Sequence, residues 1–169
     1  MTIPNPEHLF QQAERLAAPR QGSPSRQADL RRAISAAYYG IFHFVLAAVA
    51  DEFVGATQRA SLRYALVYRS IEHRALRSLC GEVKKHRVSA GLAAYIPAAG
   101  FDRNIQVFAA AAFELQQKRH IADYHPQPRF RREDATLAIE AARDGVRAFG
   151  LASPDDRRTF LTLLLCPPR

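Results

Sequence analysis

The stretch AAYYGIFHFVLAAVA, residues 36–50, limits the folds open to this chain more than any other feature. Apart from Gly40 and His43 it is unbroken apolar sequence, and a helix apolar on every side must be wrapped by lipid or by other helices. Its 15 residues fall short of the roughly 20 needed to cross a bilayer. Arg31 and Arg32 close it off before, Asp51 and Glu52 after. The stretch therefore predicts no membrane span but the centre of a helical bundle, inside one long helix over 26–53. Leu30, Ile34, Tyr38, Ile41 and Val45 form one stripe of that helix, and Tyr39, Phe42, Leu46 and Phe53 a second. Ala33, Ala36, Ala37 and Gly40 lie between them and admit a close neighbour, from this chain or from a second subunit.

The remaining pattern is helical too. Ala is abundant, Gly is scarce and β-branched residues are scattered, a mixture that favours helix over strand. Asn5-Pro6-Glu7 reads as an N-cap, a first-position proline and a first-turn acid, opening a short helix with Leu9, Ala13 and Leu16 on one face. Residues 18–25 read as a loop by their Pro, Gly and Ser content. Helices follow over about 57–80, with a break near 69–70, and over 102–124, 131–149 and 153–165, with a short turn of helix around 88–95. Asp102 and Ser153 are their N-cap candidates. At 169 residues this is a single domain, residues 1–169, with its core over about 5–150 and a C-terminal helix at 153–165. The fold class is all-α, an antiparallel bundle of five to six helices.

Charge limits the partners. The chain carries 24 Lys and Arg against 16 Asp and Glu, a net +8, which suits a polyanion such as RNA or a nucleotide. Cys80 and Cys166 lie far apart without metal-ligand spacing, so neither a disulfide framework, nor a zinc site, nor a cofactor is expected. MTIPNPEHLFQQAERL lacks the basic start and apolar run of a signal peptide, and the expected compartment is the cytoplasm.

The chemistry-bearing residues gather in KRHIADYHP, 118–126. On a helix, Ile105, Phe108, Ala112, Leu115, Arg119 and Ala122 share one face, so Arg119 occupies an apolar seam. A seam arginine is costly unless it is paired or faces a polar cleft. Asp123, four residues on, can reach it. His125 lies past the last turn, before Pro126, where its imidazole can fold back toward Arg119. Residues 118–132 hold five Lys and Arg (Lys118, Arg119, Arg129, Arg131 and Arg132) against one Asp. Two readings stand open: a phosphate-backbone site, or a capped helix end with a solvated basic turn. His43 reads as a satisfied core or interface histidine and His8 as surface. His73 and His86 sit among basic residues that disfavour a metal.

Two segments resemble a known family. LRRAISAAYYGIFHFVLA, 30–47, and RHIADYHP with the downstream DATLAIEAARDGVRAF, 134–149, are similar to the HEPN (higher eukaryotes and prokaryotes nucleotide-binding) domain, bacterial type. The resemblance implies a helical bundle that commonly dimerises. Many members are metal-independent ribonucleases of toxin–antitoxin or defence systems, with an Arg, a polar neighbour and a His a few positions on. Arg119 and His125 match the catalytic pair and His120 the polar neighbour, with Asp123 and Tyr124 supporting and Lys118, Arg129, Arg131 and Arg132 binding RNA. Bacterial members with the R-x-x-A-D-Y turn often carry an acid where this chain has His125. The resemblance thus also implies an alternative, a non-catalytic module that binds a nucleotide, RNA or a nucleotidyltransferase-type antitoxin partner.

Overall fold

The computed structural model describes residues 3–19, 26–85 and 87–168. Among the described residues the chain folds into eight α-helices and one 3-10 turn, with no strand. They are α1 (Pro6–Ala17), α2 (Gln27–Phe53), the 3-10 turn (Ala56–Gln58), α3 (Leu62–Arg69), α4 (His73–Val83), α5 (Ala90–Ala93), α6 (Arg103–Tyr124), α7 (Arg132–Leu151) and α8 (Pro154–Leu165). Most of the loop expected over 18–25 lies outside the described residues, as does His86.

The helix count exceeds five to six for two local reasons. The segment 57–80 divides into α3 and α4 at Ser70, whose amide (3.1 Å) and hydroxyl (2.7 Å) both donate to the Val67 carbonyl and close the last turn of α3. The region around 88–95 closes one further turn, α5. The expected N-caps are in place. Asn5 accepts from the Glu7 amide (3.0 Å), Asp102 from Ile105 (2.8 Å) and Ser153 from Asp156 (3.1 Å). Each such cap stabilises its helix by about 1 kcal/mol.

α2 is the axis. Most of its apolar residues are buried, and α1, α3, α6, α7 and α8 pack against it. At 27 residues it is the one described helix long and apolar enough to cross a membrane, and 72% of its most apolar window is covered by the chain's own helices. Phe53, expected in a buried stripe, is 43% exposed because the helix runs past the edge of the bundle there. Gly55, with φ 104°, follows the helix and takes a backbone conformation closed to other residues.

The small residues of α2 receive a neighbour from the same chain. A Cβ on Gly40 would lie 2.2 Å from Cε1 of Phe10, so the α1 ring, and not a second subunit, occupies this notch. Phe10, Ala13 and Ala17 form the buried stripe of α1, one step round from the face expected from Leu9, Ala13 and Leu16. Arg143 of α7 locks this helix from outside, pairing with Glu7 (2.8 Å) and Glu14 (2.9 Å) and lying over the Phe10 ring. α6 and α7 form a hairpin. Phe108, Phe149 and Phe160 close it against α8, with ring centroids 4.8 to 6.0 Å apart in mutually tilted or edge-on pairs.

The hairpin turn is held by the start of α2. Pro126 and Pro128 have no N–H, so the Ala122 and Tyr124 carbonyls of the last α6 turn lack their normal donors. Arg31 supplies a donor to the first of these and to carbonyls of the turn that follows. Its guanidinium reaches the carbonyls of Ala122 (2.8 Å), His125 (2.7 Å), Pro126 (3.2 Å) and Pro128 (2.6 Å). Gln27 clamps Phe130 by both its N–H (2.9 Å) and its C=O (2.6 Å). Arg31→Ala is expected to cost about 2 kcal/mol, the scale of charge-assisted hydrogen bonds at a partly exposed site. Urea unfolding checks the magnitude. Faster amide exchange at Phe130 than at mid-α7 residues checks the location.

Candidate functional site

Arg119 lies on the seam of α6, and α2 decides what it meets. Ser35, Tyr39 and His43 recur every four residues, a polar stripe on an otherwise apolar helix; Ser35 and Tyr39 meet Asp123 and Arg119 at the end of α6, and His43 meets Tyr68 of α3. The Arg119 Nη2 donates to the Tyr39 hydroxyl (2.6 Å), and its guanidinium lies 5.3 Å from the Tyr39 ring and 5.5 Å from that of Tyr124. Its Nε is 2.8 Å from Asp123 Oδ2 but not aligned for a hydrogen bond, so the contact is an ion pair. The other Asp123 oxygen accepts from Ser35 Oγ. Burial opposes the charge on Arg119, but Tyr39 and Asp123 outweigh it and raise its pKa.

A second layer lies beneath. His73, the first residue of α4, takes the Tyr38 hydroxyl at Nδ1 (2.7 Å), with the Phe42 ring 3.9 Å from its own. The Gln116 side chain of α6 donates to its carbonyl (3.0 Å). His43 meets the Tyr68 hydroxyl through Nδ1 (2.6 Å). Tyr39 touches both imidazoles, at 5.8 Å from His73 and 6.2 Å from His43. Burial, with the charges of Arg119 and His43 added, holds His73 below the usual imidazole range, and burial alone does so for His43. Burial likewise raises the Tyr38 hydroxyl, and it pushes Tyr68 up to about 12.

The sequence motif is only partly drawn together. Asp123 reaches Arg119 as its spacing predicts, and the Tyr124 ring also lies against the guanidinium. His125 does not fold back onto it: its ring packs on that of His120, with centroids 5.6 Å apart, and His120 in turn lies against Tyr124. The helix ends at His125, whose extended dihedrals (φ −97°, ψ 115°) take it out of the helical geometry that stacks a side chain on an earlier turn. Lys118, His120, His125, Arg129, Arg131 and Arg132 are all exposed. His43, read as a satisfied core or interface histidine, is half-buried and bonds Tyr68 through one ring nitrogen, and His8 is at the surface. His73 brings in a helix distant in sequence, and no local pattern announces it. Cys80 is buried and Cys166 exposed, both as free thiols.

The lowered histidines set a stability window. In the unfolded chain both bind protons near the ordinary value of about 6.5, while in the folded chain they stay neutral to lower pH. The unfolded state therefore binds more protons across this interval, and stability is lost as pH falls below about 6.5 until the folded values are passed. The urea midpoint is expected to be lower at about pH 5.5 than at about pH 7.5. His43→Gln/His73→Gln should flatten the difference, whatever the double variant does to the midpoint itself.

The fold and site define an all-helical bundle carrying an arginine-centred polar face. The chain matches no protein-family model, no curated protein and no solved structure. Its site is read from its own chemistry.

Proposed function

We propose that this chain is an RNA-directed HEPN-type protein, a metal-independent endoribonuclease of toxin–antitoxin or defence type, with Arg119 and His125 as its working pair. The observation that carries the reading is the state of Arg119. It is a half-buried guanidinium near the end of α6, in contact with the Tyr124 ring that the exposed His120 also touches, and His120 in turn packs on the exposed His125; Lys118, Arg129, Arg131 and Arg132 are exposed over the same segment of chain. In this reaction His125 takes the proton of a ribose 2′-hydroxyl as that oxygen attacks the adjacent phosphorus. The P–O5′ bond breaks, the 5′-oxygen receives a proton, and a 2′,3′-cyclic phosphate remains. Arg119 stabilises the charge that builds on the non-bridging oxygens. His120 and the ring of Tyr124 orient the imidazole.

The reading includes a homodimer, consistent with Ile121 (37% exposed) and Tyr124 (63% exposed) forming an apolar rim beside Arg119. A strict monomer by light scattering at micromolar concentration would count against a shared cleft. A second reading rests on a different observation: Asp123 and Tyr39 already hold Arg119, and His125 contacts His120. This favours a non-catalytic module binding a nucleotide, RNA or a nucleotidyltransferase-type antitoxin. The test is cleavage of an RNA panel by purified protein with EDTA present, alongside His125→Ala. Cleavage that survives EDTA, ends in cyclic phosphate and disappears in the variant supports the nuclease. No cleavage by folded protein supports the module.

A further inference from the structure

We propose that Tyr39, His43, His73 and Arg119 form a binding site for a phosphate-type oxyanion on the face where α2, α4 and α6 meet, separate from the exposed His120 and His125. This deepens the function proposed above, since it rests on Arg119 as a phosphate-binding group, but it assigns the anion to different imidazoles.

The argument counts hydrogen-bond donors. A guanidinium has five N–H groups. In Arg119 one lies beside Asp123 and one is given to Tyr39, which leaves three without a partner among the described residues. The Tyr39 hydroxyl accepts from Arg119, and its own proton has no described acceptor. The imidazoles follow from the buried tyrosines. The Tyr38 hydroxyl has one described partner, Nδ1 of His73, and the Tyr68 hydroxyl has one, Nδ1 of His43. A buried O–H that donates nowhere is costly, so both hydroxyls donate, and the ring proton of each histidine sits on Nε2. Neither Nε2–H has a partner among the described residues.

Tyr39 joins these groups, since its ring touches both imidazoles and its hydroxyl touches the guanidinium. All four residues are half-buried, while Tyr38, Phe42 and Tyr68 behind them are buried. The face thus presents several donors without a described partner around one permanent positive charge, which Asp123 flanks, over an apolar floor. Asp123 does not oppose an anion freely, because both its oxygens are engaged by Ser35 and Arg119. A ligand with several acceptor oxygens, negative charge and no obligatory donor fits these groups, and an ionised phosphoryl group has that chemistry. Held tautomers suit such binding, since two neutral donors add direction without the desolvation of two further charges.

The test is a titration of the full chain, labelled with 15N, following histidine ring nitrogens by NMR. Inorganic phosphate stands for a free or terminal phosphate, and dimethyl phosphate for the diester of a nucleic-acid backbone. Saturable shifts at His43 and His73 Nε2, with His8 as the unmoving reference, support the site, and the tighter of the two anions identifies its source. Arg119→Lys is expected to weaken the binding by about tenfold, the scale of one or more charge-assisted hydrogen bonds. Tyr38→Phe removes a single oxygen, and should both move the His73 ring nitrogens toward a mixed tautomer and weaken the anion. Shifts confined to His120 and His125, or no shift with either anion, overturn the proposal. RNA cleavage together with that result removes this site and leaves the nuclease. Phosphate binding at His43 and His73 without RNA cleavage leaves this site and removes the nuclease.

Discussion

Gly40→Ala is expected to destabilise the protein by about 2 kcal/mol, reversing the gain of up to about 1 kcal/mol that alanine normally brings over glycine inside a helix. The opposing effect is steric. The new Cβ would stand 2.2, 2.6 and 2.8 Å from Cε1, Cδ1 and Cζ of Phe10, all closer than carbon atoms approach. Phe10 has little room to yield, being 3% exposed, with Arg143 over its ring and Glu7 and Glu14 tied to that arginine. Either the ring leaves its rotamer or α1 lifts from α2, and overpacking of this kind costs about 1–3 kcal/mol or more. Thermal unfolding should show a midpoint lower by roughly 4–8 °C for a chain of this size. Gly150→Ala is the control: nothing lies within 4 Å of its Cβ position, so helix propensity acts alone there and a gain of about 0.5 kcal/mol is expected. Combining Gly40→Ala with Phe10→Leu should cost less than the sum of the two. An additive result would place the strain elsewhere.

Gly40 also shows where sequence reasoning reached and where it stopped. In sequence its small side is open to a second subunit or to the same chain, and only the position of Phe10 decides between them. The helix limits were legible because their causes are local: Asn5, Asp102 and Ser153 cap within three residues, and Pro126 and Pro128 stop α6 whatever packs against it. The seam position of Arg119 and its Asp123 partner follow from helical spacing in the same way. Non-local contacts were not legible. Arg31 meets the 122–128 carbonyls from about ninety residues away in sequence, and His73 reaches Tyr38 from a separate helix. One signal was present and unused. Ser35, Tyr39 and His43, spaced by four within an apolar run, mark the face of α2 that meets a polar partner. The expected return of His125 to Arg119 had sound spacing but depended on the backbone angles of one residue beyond the helix, which spacing does not determine.

Under the proposed ribonuclease function, Arg119→Ala should lower kcat/KM for RNA cleavage by about 100-fold or more, the usual loss when a donor to transition-state charge is removed. The difficulty is that Arg119 also supports structure, since it holds Asp123 and the Tyr39 hydroxyl. Removing it leaves Asp123 with Ser35 alone, and breaking a partly buried ion pair costs about 1–3 kcal/mol. A fall in activity from unfolding and one from lost chemistry must therefore be separated. Arg119→Lys does so. It keeps a positive charge opposite Asp123, while losing the planar fork that can hold Tyr39 and a phosphate together. This variant should unfold close to the parent yet cleave at least about tenfold more slowly. A loss confined to kcat, with KM little changed, assigns the guanidinium to the transition state; a rise in KM alone assigns it to ordinary phosphate binding. Asp123→Asn completes the comparison. If Arg119 serves only to pin the helix end, releasing it from the carboxylate lowers stability and leaves cleavage of the folded fraction intact. If it serves the phosphate, the amide weakens a competitor for the guanidinium, and anion affinity holds or rises while stability falls. Equal cleavage by the parent, Arg119→Ala and Arg119→Lys would remove the arginine from the chemistry altogether.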